Sequence, residues 1–407
     1  MSYSPAEQDV FTPLVREILD IEQVTWGSRE LQFVVRYRGQ LKIDSMAAYA
    51  QLADGLKGRE FTPLFREEEG LHSIVIVEGL MRDGRVNNPL VNLGLFVLTI
   101  FSVLFAGALF SYDGPVADGV LGPFITVFLN LDEGIPFGLS ILAILLAHEF
   151  GHYIAARIHN TAVTLPYFIP FPLSPFGTMG AFIQLKEPPR NKRVLHDIGI
   201  AGPLAGLAVT IPLLIWGISL SPVEVIPLFI DAGQGFYLEG NSLLYLFAKY
   251  IVHGELLPAP RFSPDNPLFF WVRYVLTGLP TPLGGRDISL HPIAWAGWAG
   301  LLVTGLNLIP AGQLDGGHIL YVLFGKHANK ALPVILVTLG LLGFAWGGWW
   351  LWVLMIYFLG RKHAEPLDQI TELDSMRTTF AILTLILFLL IFIPVPLRVL
   401  SGPYLGP

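Results

Sequence analysis

Six stretches of this chain run apolar for about the length needed to cross a bilayer core, near residues 90–110, 135–157, 197–219, 292–312, 331–359 and 378–398. In hydrocarbon every backbone N–H and C=O must find its partner within the protein, so such segments form helices or closed barrels. Their unbroken hydrophobicity selects helices. Only 14% of the 407 residues are charged, against about 25% in an ordinary soluble domain, and the mean hydropathy is +0.58. The expected fold is a polytopic α-helical membrane protein with about six to seven transmembrane helices. The count turns on residues 331–359, which read as a tight hairpin if Gly347-Gly348 is a turn and as one long tilted helix if it is not.

Residues 1–88 differ in kind. They are charged and of mixed periodicity, with helices expected over Pro5–Asp20 and Met46–Leu56 and strands over Leu31–Tyr37, Phe61–Arg66 and His72–Val77. This predicts a small soluble α+β domain without a nameable chemical motif, read as a docking or regulatory module. A transmembrane core over 89–360 follows, then a loop and a last helix over 361–407. The core contains an extracytosolic insertion, 220–290, whose apolar stretches near 242–252 and 267–279 are too short to span and each carry a basic residue. They read as interfacial helices. The first apolar span begins near residue 90, so no cleavable signal peptide is visible and the N-terminus reads as mature. The net charge of −7 is spread out, which argues against a nucleic-acid partner. With no cysteine, disulfides and thiolate metal sites are excluded.

Basic residues set the expected orientation. Arg82 and Arg85 precede the first span, whereas the 111–134 loop has no Lys or Arg and carries Asp113, Asp118, Asp132 and Glu133. Lys186, Arg190, Lys192 and Arg193, and later Lys326, Lys330, Arg361, Lys362 and Arg377, share the side of the N-terminus. A multi-pass protein with its N-terminus on the cytosolic side is expected. The Trp346, Trp349, Trp350 and Trp352 cluster reads as an interfacial aromatic belt.

The second span ends in His148-Glu149-Phe150-Gly151-His152. On a helix, positions i and i+4 share a face, so both imidazoles can reach one Zn²⁺ while Glu149 is placed to take a proton from water. A carboxylate and two imidazoles at membrane depth are costly unless something pairs with them. A hydrolytic zinc site needs a third protein ligand and an open position. Asp315, in Asn307-Leu308-Ile309-Pro310-Ala311-Gly312-Gln313-Leu314-Asp315-Gly316-Gly317-His318, closes the fourth span on the same side as the His pair. Its position suits two roles, third ligand or N-cap of a helix over Gly316–Phe324. His318 is close enough in sequence to support Asp315 or simply to face solvent. His196, His253, His291, His327 and His363 lie at span ends or in loops and are not expected as ligands. Gly199, Gly202, Ala205 and Gly206 form a small-residue face for close helix packing.

His148-Glu149-Phe150-Gly151-His152 on one span, with Asn307, Pro310 and Leu314-Asp315-Gly316 on a later one, resembles the site-2 protease family of intramembrane zinc metalloproteases. Ile198-Gly199-Ile200-Ala201-Gly202-Pro203, Ala296-Gly297-Trp298 and the Gln-Leu-Asp-Gly-Gly-His form are similar to its chloroplast and photosynthetic-bacterial, EGY-type branch. Leu308 stands where the family usually has the first proline of Asn-Pro-x-Pro. The resemblance implies Zn²⁺ as cofactor, with His148, His152 and Asp315 as metal ligands and Glu149 as catalytic base. It also implies Asn307 as an oxyanion or substrate-positioning group. The 165–186 loop is similar to the family's β-hairpin, so Gly177, Met179, Gly180 and Phe182 would lie on an edge strand that pairs with unwound substrate. The implied partners are the lipid bilayer and a membrane-protein substrate with a transmembrane helix, and the active site would open to the cytosolic side. A metal- or proton-dependent transporter would also place His and carboxylates in the membrane, but no internal repeat is visible. An inactive scaffold of the same fold is disfavoured by the intact Glu149.

Overall fold

The computed structural model describes residues 10–27, 33–79, 88–230, 235–359 and 365–401. Arg82, Arg85, Arg361, Lys362, His363 and the first residues of the expected 5–20 helix and 31–37 strand lie outside the described residues.

The N-terminal region runs α1 (Thr12–Ile18), β1 (Leu19–Trp26), β2 (Val35–Leu41), α2 (Ser45–Gly55), β3 (Phe61–Glu68) and β4 (Leu71–Glu78). The strands form one antiparallel sheet in the order β1-β2-β4-β3. The expected first helix is cut short because Leu19 to Ile21 pair with Leu41 to Gly39, and the strand β1 was not foreseen. Asp44 caps α2 by accepting from the Met46 and Ala47 amides. Glu69 and Gly70, with φ of 54° and 78°, make the two-residue turn that closes β3 onto β4. Val15, Ile18, Leu52, Phe65, Ile74 and Ile76 form its core.

The β3 edge is not left open. Residues 365–371 return from the far end of the sequence, Leu367 O accepting from Phe65 N at 2.9 Å and Phe65 O from Gln369 N at 3.1 Å. The other edge of this strap pairs with the segment leading into the third long helix, through Leu367 N to Pro189 O and Asp368 N to Arg190 O.

The membrane part comprises α3 (Pro89–Ser111), α4 (Gly122–Leu129), α5 (Ile135–Ile158), the strands β5 (Tyr167–Pro170) and β6 (Thr178–Phe182), and α6 (Lys192–Ser219). At the end opposite the N-terminal domain lie β7 (Val223–Val225), β8 (Gly235–Glu239), α7 (Leu243–His253), α8 (Pro267–Thr277) and β9 (Arg286–Ile288). The chain returns through α9 (Pro292–Asn307), α10 (Asp315–Phe324), α11 (Leu332–Leu342), α12 (Gly348–Leu359) and α13 (Ser375–Ile391), and closes with β10 (Leu397–Ser401). Helices α5, α6 and α9 pack on one another, α3 covers α5, and α13 touches α6, α7, α9 and α10. Trp298, Leu301, Leu214, Ile141 and Phe137 fill the centre.

Among the described residues three helical segments, Pro89–Ser111, Leu131–Ile158 and Lys192–Ser219, are long and apolar enough to cross a membrane. The expected 292–312 span stops at Asn307, and the expected 378–398 span is a helix from Ser375 to Ile391 followed by β10. Residues 331–359 divide into α11 and α12, with the break between Leu342 and Gly348. Trp349 is fully buried against Phe392 and donates to Pro394 O, so it belongs to a helix contact, whereas Trp350 is exposed. In the 220–290 insertion, α7 and α8 fall where short helices were expected. Each exposes an apolar stripe, Leu243, Phe247, Tyr250 and Ile251 on α7 and Leu268, Phe269, Val272 and Leu276 on α8. The strands β7 to β10 and the helix α4 were not anticipated.

Candidate metal centre

Helix α5 starts with Pro136 in its first turn and stays helical to Ile158, which keeps His148 and His152 one above the other. Both rings are buried, and their Nε2 atoms lie 3.2 Å apart. Asp315 comes from a different part of the chain. After α9 ends at Asn307 the backbone folds over itself through Leu308–Leu314 and re-enters a helix at Asp315. Gly316 and Gly317 make that fold-over feasible, since a Cβ on either would overlap the carbonyl groups of Leu308 or Gly312. Leu314 rather than Asp315 holds the cap position, with no side-chain capping bond. The Asp315 carboxylate instead faces the imidazoles, with Oδ2 3.4 Å from each Nε2.

These three ligand atoms form one compact cluster. Donors about 2.05 Å from a tetrahedral zinc ion stand about 3.3 Å from one another. The observed spacings of 3.2, 3.4 and 3.4 Å therefore fit a single metal ion held by His148, His152 and Asp315.

Further groups converge on the centre. Ile198 O of α6 lies 2.7 Å from His152 Nδ1, so in the neutral ring its acceptance of that N–H would leave Nε2 as the nitrogen free to bind a metal. Gly202 faces the same ring, and a Cβ there would overlap the imidazole. Gly206 approaches the His148 ring, with a Cβ placed 3.2 Å from Nδ1. The small-residue face of α6 thus serves more than packing: it makes room for the imidazoles. Glu149 is 3% exposed, and the backbone of Ile183, just beyond β6, faces its carboxylate. Asn307 Nδ2 stands 3.4 Å from His148 Nε2, at the rim of the cluster. His318 lies outside the ligand cluster and packs toward Gly199.

The 165–186 segment is a hairpin of β5 and β6, with Tyr167 opposite Phe182 and Pro170 opposite Thr178. Met179 and Phe182 are exposed. Gly177 and Gly180 have φ of 69° and 97°. Gly177 is pressed onto α3, where a Cβ would collide with Ser102 O, and Ser102 Oγ donates to Gly177 O. Among the described residues β6 pairs only with β5, so its second edge is open.

The model of Peptidase family M50 matches residues 136–278 and 285–343, which include both His-containing turns of α5 and the Asp315 fold-over. The chain belongs to this family. M50 peptidases are membrane-embedded, in keeping with the three spanning segments. Curated relatives include the probable zinc metalloprotease EGY2, chloroplastic, of Oryza sativa subsp. indica, 29% identical over 307 residues, or 74% of this chain and 49% of the relative. The Arabidopsis thaliana EGY2 protein of the same description is 30% identical over 280 residues, 67% of this chain and 44% of the relative. The Arabidopsis thaliana probable zinc metalloprotease EGY1, chloroplastic, is 30% identical over 275 residues, 65% and 44%. The chain thus spans about half the length of the relatives it matches. No solved structure matches it. Ile183, Ile198 and Gly202 were not singled out for the site by sequence reasoning. The first two act through backbone atoms, and Gly202 was read as packing alone.

Proposed function

We propose that this M50 peptidase is an intramembrane zinc metalloprotease that hydrolyses peptide bonds in or near transmembrane segments of membrane proteins. The observation that carries the reading is the tetrahedral spacing of His148 Nε2, His152 Nε2 and Asp315 Oδ2 beside the buried Glu149 carboxylate. When bound, zinc supplies Lewis acidity that activates water and polarises the scissile carbonyl. His148, His152 and Asp315 would hold it. Glu149 takes the proton of the attacking water and passes it to the leaving amine. Asn307, at the rim, is placed to donate to the carbonyl oxygen as charge develops there. A transmembrane substrate must first unwind, and its exposed N–H and C=O groups need partners. The open edge of β6, with Met179, Gly180 and Phe182, offers them, while Gly177 seats the hairpin on α3.

In this reading the chain has about six to seven crossings, made by α3, α5, α6, α9, the α11–α12 pair and α13. The contact of Trp349 at the tip of the α11–α12 pair with Pro394 beyond α13 supports counting that hairpin as two. The N-terminal domain of residues 1–88 and the mouth of the site share the cytosolic side, on the charge pattern of Lys186, Arg190, Lys192 and Arg193. Residues 89–360 form the protease core and 361–407 the returning loop and last helix. The transporter reading has no supporting observation.

The test is Glu149→Gln in the full chain, with zinc content and cleavage of a membrane-anchored substrate measured together. Zinc should stay near one per chain while cleavage falls by about 10²-fold or more. A wild-type protein that binds no zinc, or a variant that cleaves as well as wild type, overturns the reading.

A further inference from the structure

Asp197 is held by three elements at once, and it immediately precedes Ile198, whose carbonyl orients His152. Arg377, in the first turn of α13, donates Nε to Asp197 Oδ1 and Nη2 to Oδ2, both at 2.8 Å. His159, the residue that ends α5, brings Nε2 to 3.0 Å from Oδ2, and the neighbouring His196 brings Nδ1 to 2.9 Å from Oδ1. Arg377 is anchored in turn by Asp374, the N-cap of α13. Arg193 Nε, one turn earlier on α6, donates to Glu372 O at 2.9 Å. None of these residues lies in the ligand cluster, and Arg377 lies beyond the segment matched by the family model.

Helix α6 has local reason to need such a clamp. Pro203 lacks the N–H that would bond the Gly199 carbonyl, and Gly199, Gly202 and Gly206 give the same stretch little side-chain restraint. Yet the Ile198 carbonyl sits there, and a zinc site tolerates ligand displacements of only about 0.2 Å. A small rotation of the start of α6 would swing that carbonyl and the His152 ring with it. A bidentate Arg–carboxylate pair fixes both the distance and the rotation of the two groups it joins.

We propose that Asp197 and Arg377 are positioning residues of the metal centre: their pairing locks the start of α6 to α13, beside the tie that Asp197 makes to α5 through His159, and so sets the Ile198 carbonyl that orients His152. The inference rests on His148, His152 and Asp315 being the zinc ligands.

The experiment uses the purified full-length protein, comparing wild type with Arg377→Ala, Arg377→Lys and Asp197→Asn. The control is Arg286→Ala, which removes a 2.7 Å pair with Glu255 at the opposite end of the molecule. Zinc affinity is read by chelator competition, ligand geometry by the visible absorption bands of the Co²⁺-substituted protein, and folding by Tm, all binding data being taken well below Tm. Arg377→Ala and Asp197→Asn should weaken zinc binding about tenfold or more and shift the Co²⁺ bands. Arg377→Lys should recover part of both, and Arg286→Ala should change neither. Should Arg377→Ala fail to fold, Asp197→Asn and Arg377→Lys carry the same comparison. Wild-type affinity and unaltered bands in the folded variants, with only Tm lowered, would make the pair a simple brace and overturn the proposal. Absence of zinc from the wild-type protein would instead defeat the underlying assignment of the ligands.

Discussion

At position 202 a single methyl group would occupy the space of the His152 imidazole. Helix propensity alone would favour alanine over glycine there by about 1 kcal/mol, so a purely local reading expects Gly202→Ala to stabilise. Steric exclusion of the ring outweighs that gain where the metal binds. Gly202→Ala should lower zinc affinity by about tenfold or more while leaving the helix content unchanged. Gly199→Ala, whose Cβ would meet His318 Cβ at an ordinary 3.4 Å, should bind zinc as wild type does. Equal affinities in the two variants would refute the argument. The contrast shows how much of the centre was legible in the sequence. His148, Glu149 and His152 declare themselves because their spacing is local to one helix. Spacing alone left Asp315 open between ligand and cap, and only the family resemblance named it a ligand, because the tertiary fold decides whether its carboxylate turns to its own helix or to α5. Ile183 and Ile198 contribute backbone atoms, which leave no trace in residue identity.

The elements opposite the N-terminal domain were the least legible. Lys249 on α7 suggested an interfacial helix, but its ammonium is fully buried, 3.3 Å from Asp287 of β9 and 3.7 Å from Glu239 of β8, and 4.5 Å above the Tyr245 ring. Those partners come from strands too short to show in periodicity, and β8 is completed by β10, far along the chain. Tyr245 also donates to Glu239 Oε1 at 3.0 Å, and Tyr274 and Arg398 lie nearby. Two carboxylates thus share one lysine. Burial, joined by the charge of Asp287 and opposed by Lys249, pushes Glu239 from its ordinary 4.5 up to about 7. A carboxyl that holds its proton to higher pH when folded contributes stability fully present below 4.5 and lost as pH rises through about 7. Amide-exchange protection of β8 and β10 should therefore fall between about pH 5 and about pH 8, beyond the intrinsic change in exchange rate. Glu239→Gln, which cannot ionise, should flatten that slope. A slope as steep in the variant as in wild type would assign the effect to another group.

At the scale of the whole molecule, the chain continues from the N-terminal domain into α3, and among the described residues the 365–371 strap between α12 and α13 ties the domain to the membrane part again. The sequence placed a domain boundary near residue 88 but could not reveal the strap. Its pairing with Phe65 on one side and with residues 189 and 190 on the other joins segments remote in the chain, and its short polar run looks like any connecting loop. Asp368 holds it together. One oxygen accepts from Ser45 Oγ at 2.8 Å, from Ile370 N at 2.9 Å and from Thr371 N at 3.2 Å, and the other accepts from the Thr371 hydroxyl. The residue is 1% exposed, so Asp368→Ala would leave the Ser45 and Thr371 groups without their acceptor away from water, at a cost of about 3 kcal/mol. Because the strap is the only edge partner of β3 besides β4 among the described residues, that cost should fall on domain docking before it reaches the domain's own core. Exchange at the Phe65 and Gln369 amides, which bond strap to sheet, should accelerate by about a hundredfold in Asp368→Ala. The Ile74 and Ile76 amides on the neighbouring strand should keep their protection. Uniform loss across the sheet would mean that the strap stabilises the domain itself, and unchanged exchange at Phe65 would mean that Asp368 does not hold the two parts together.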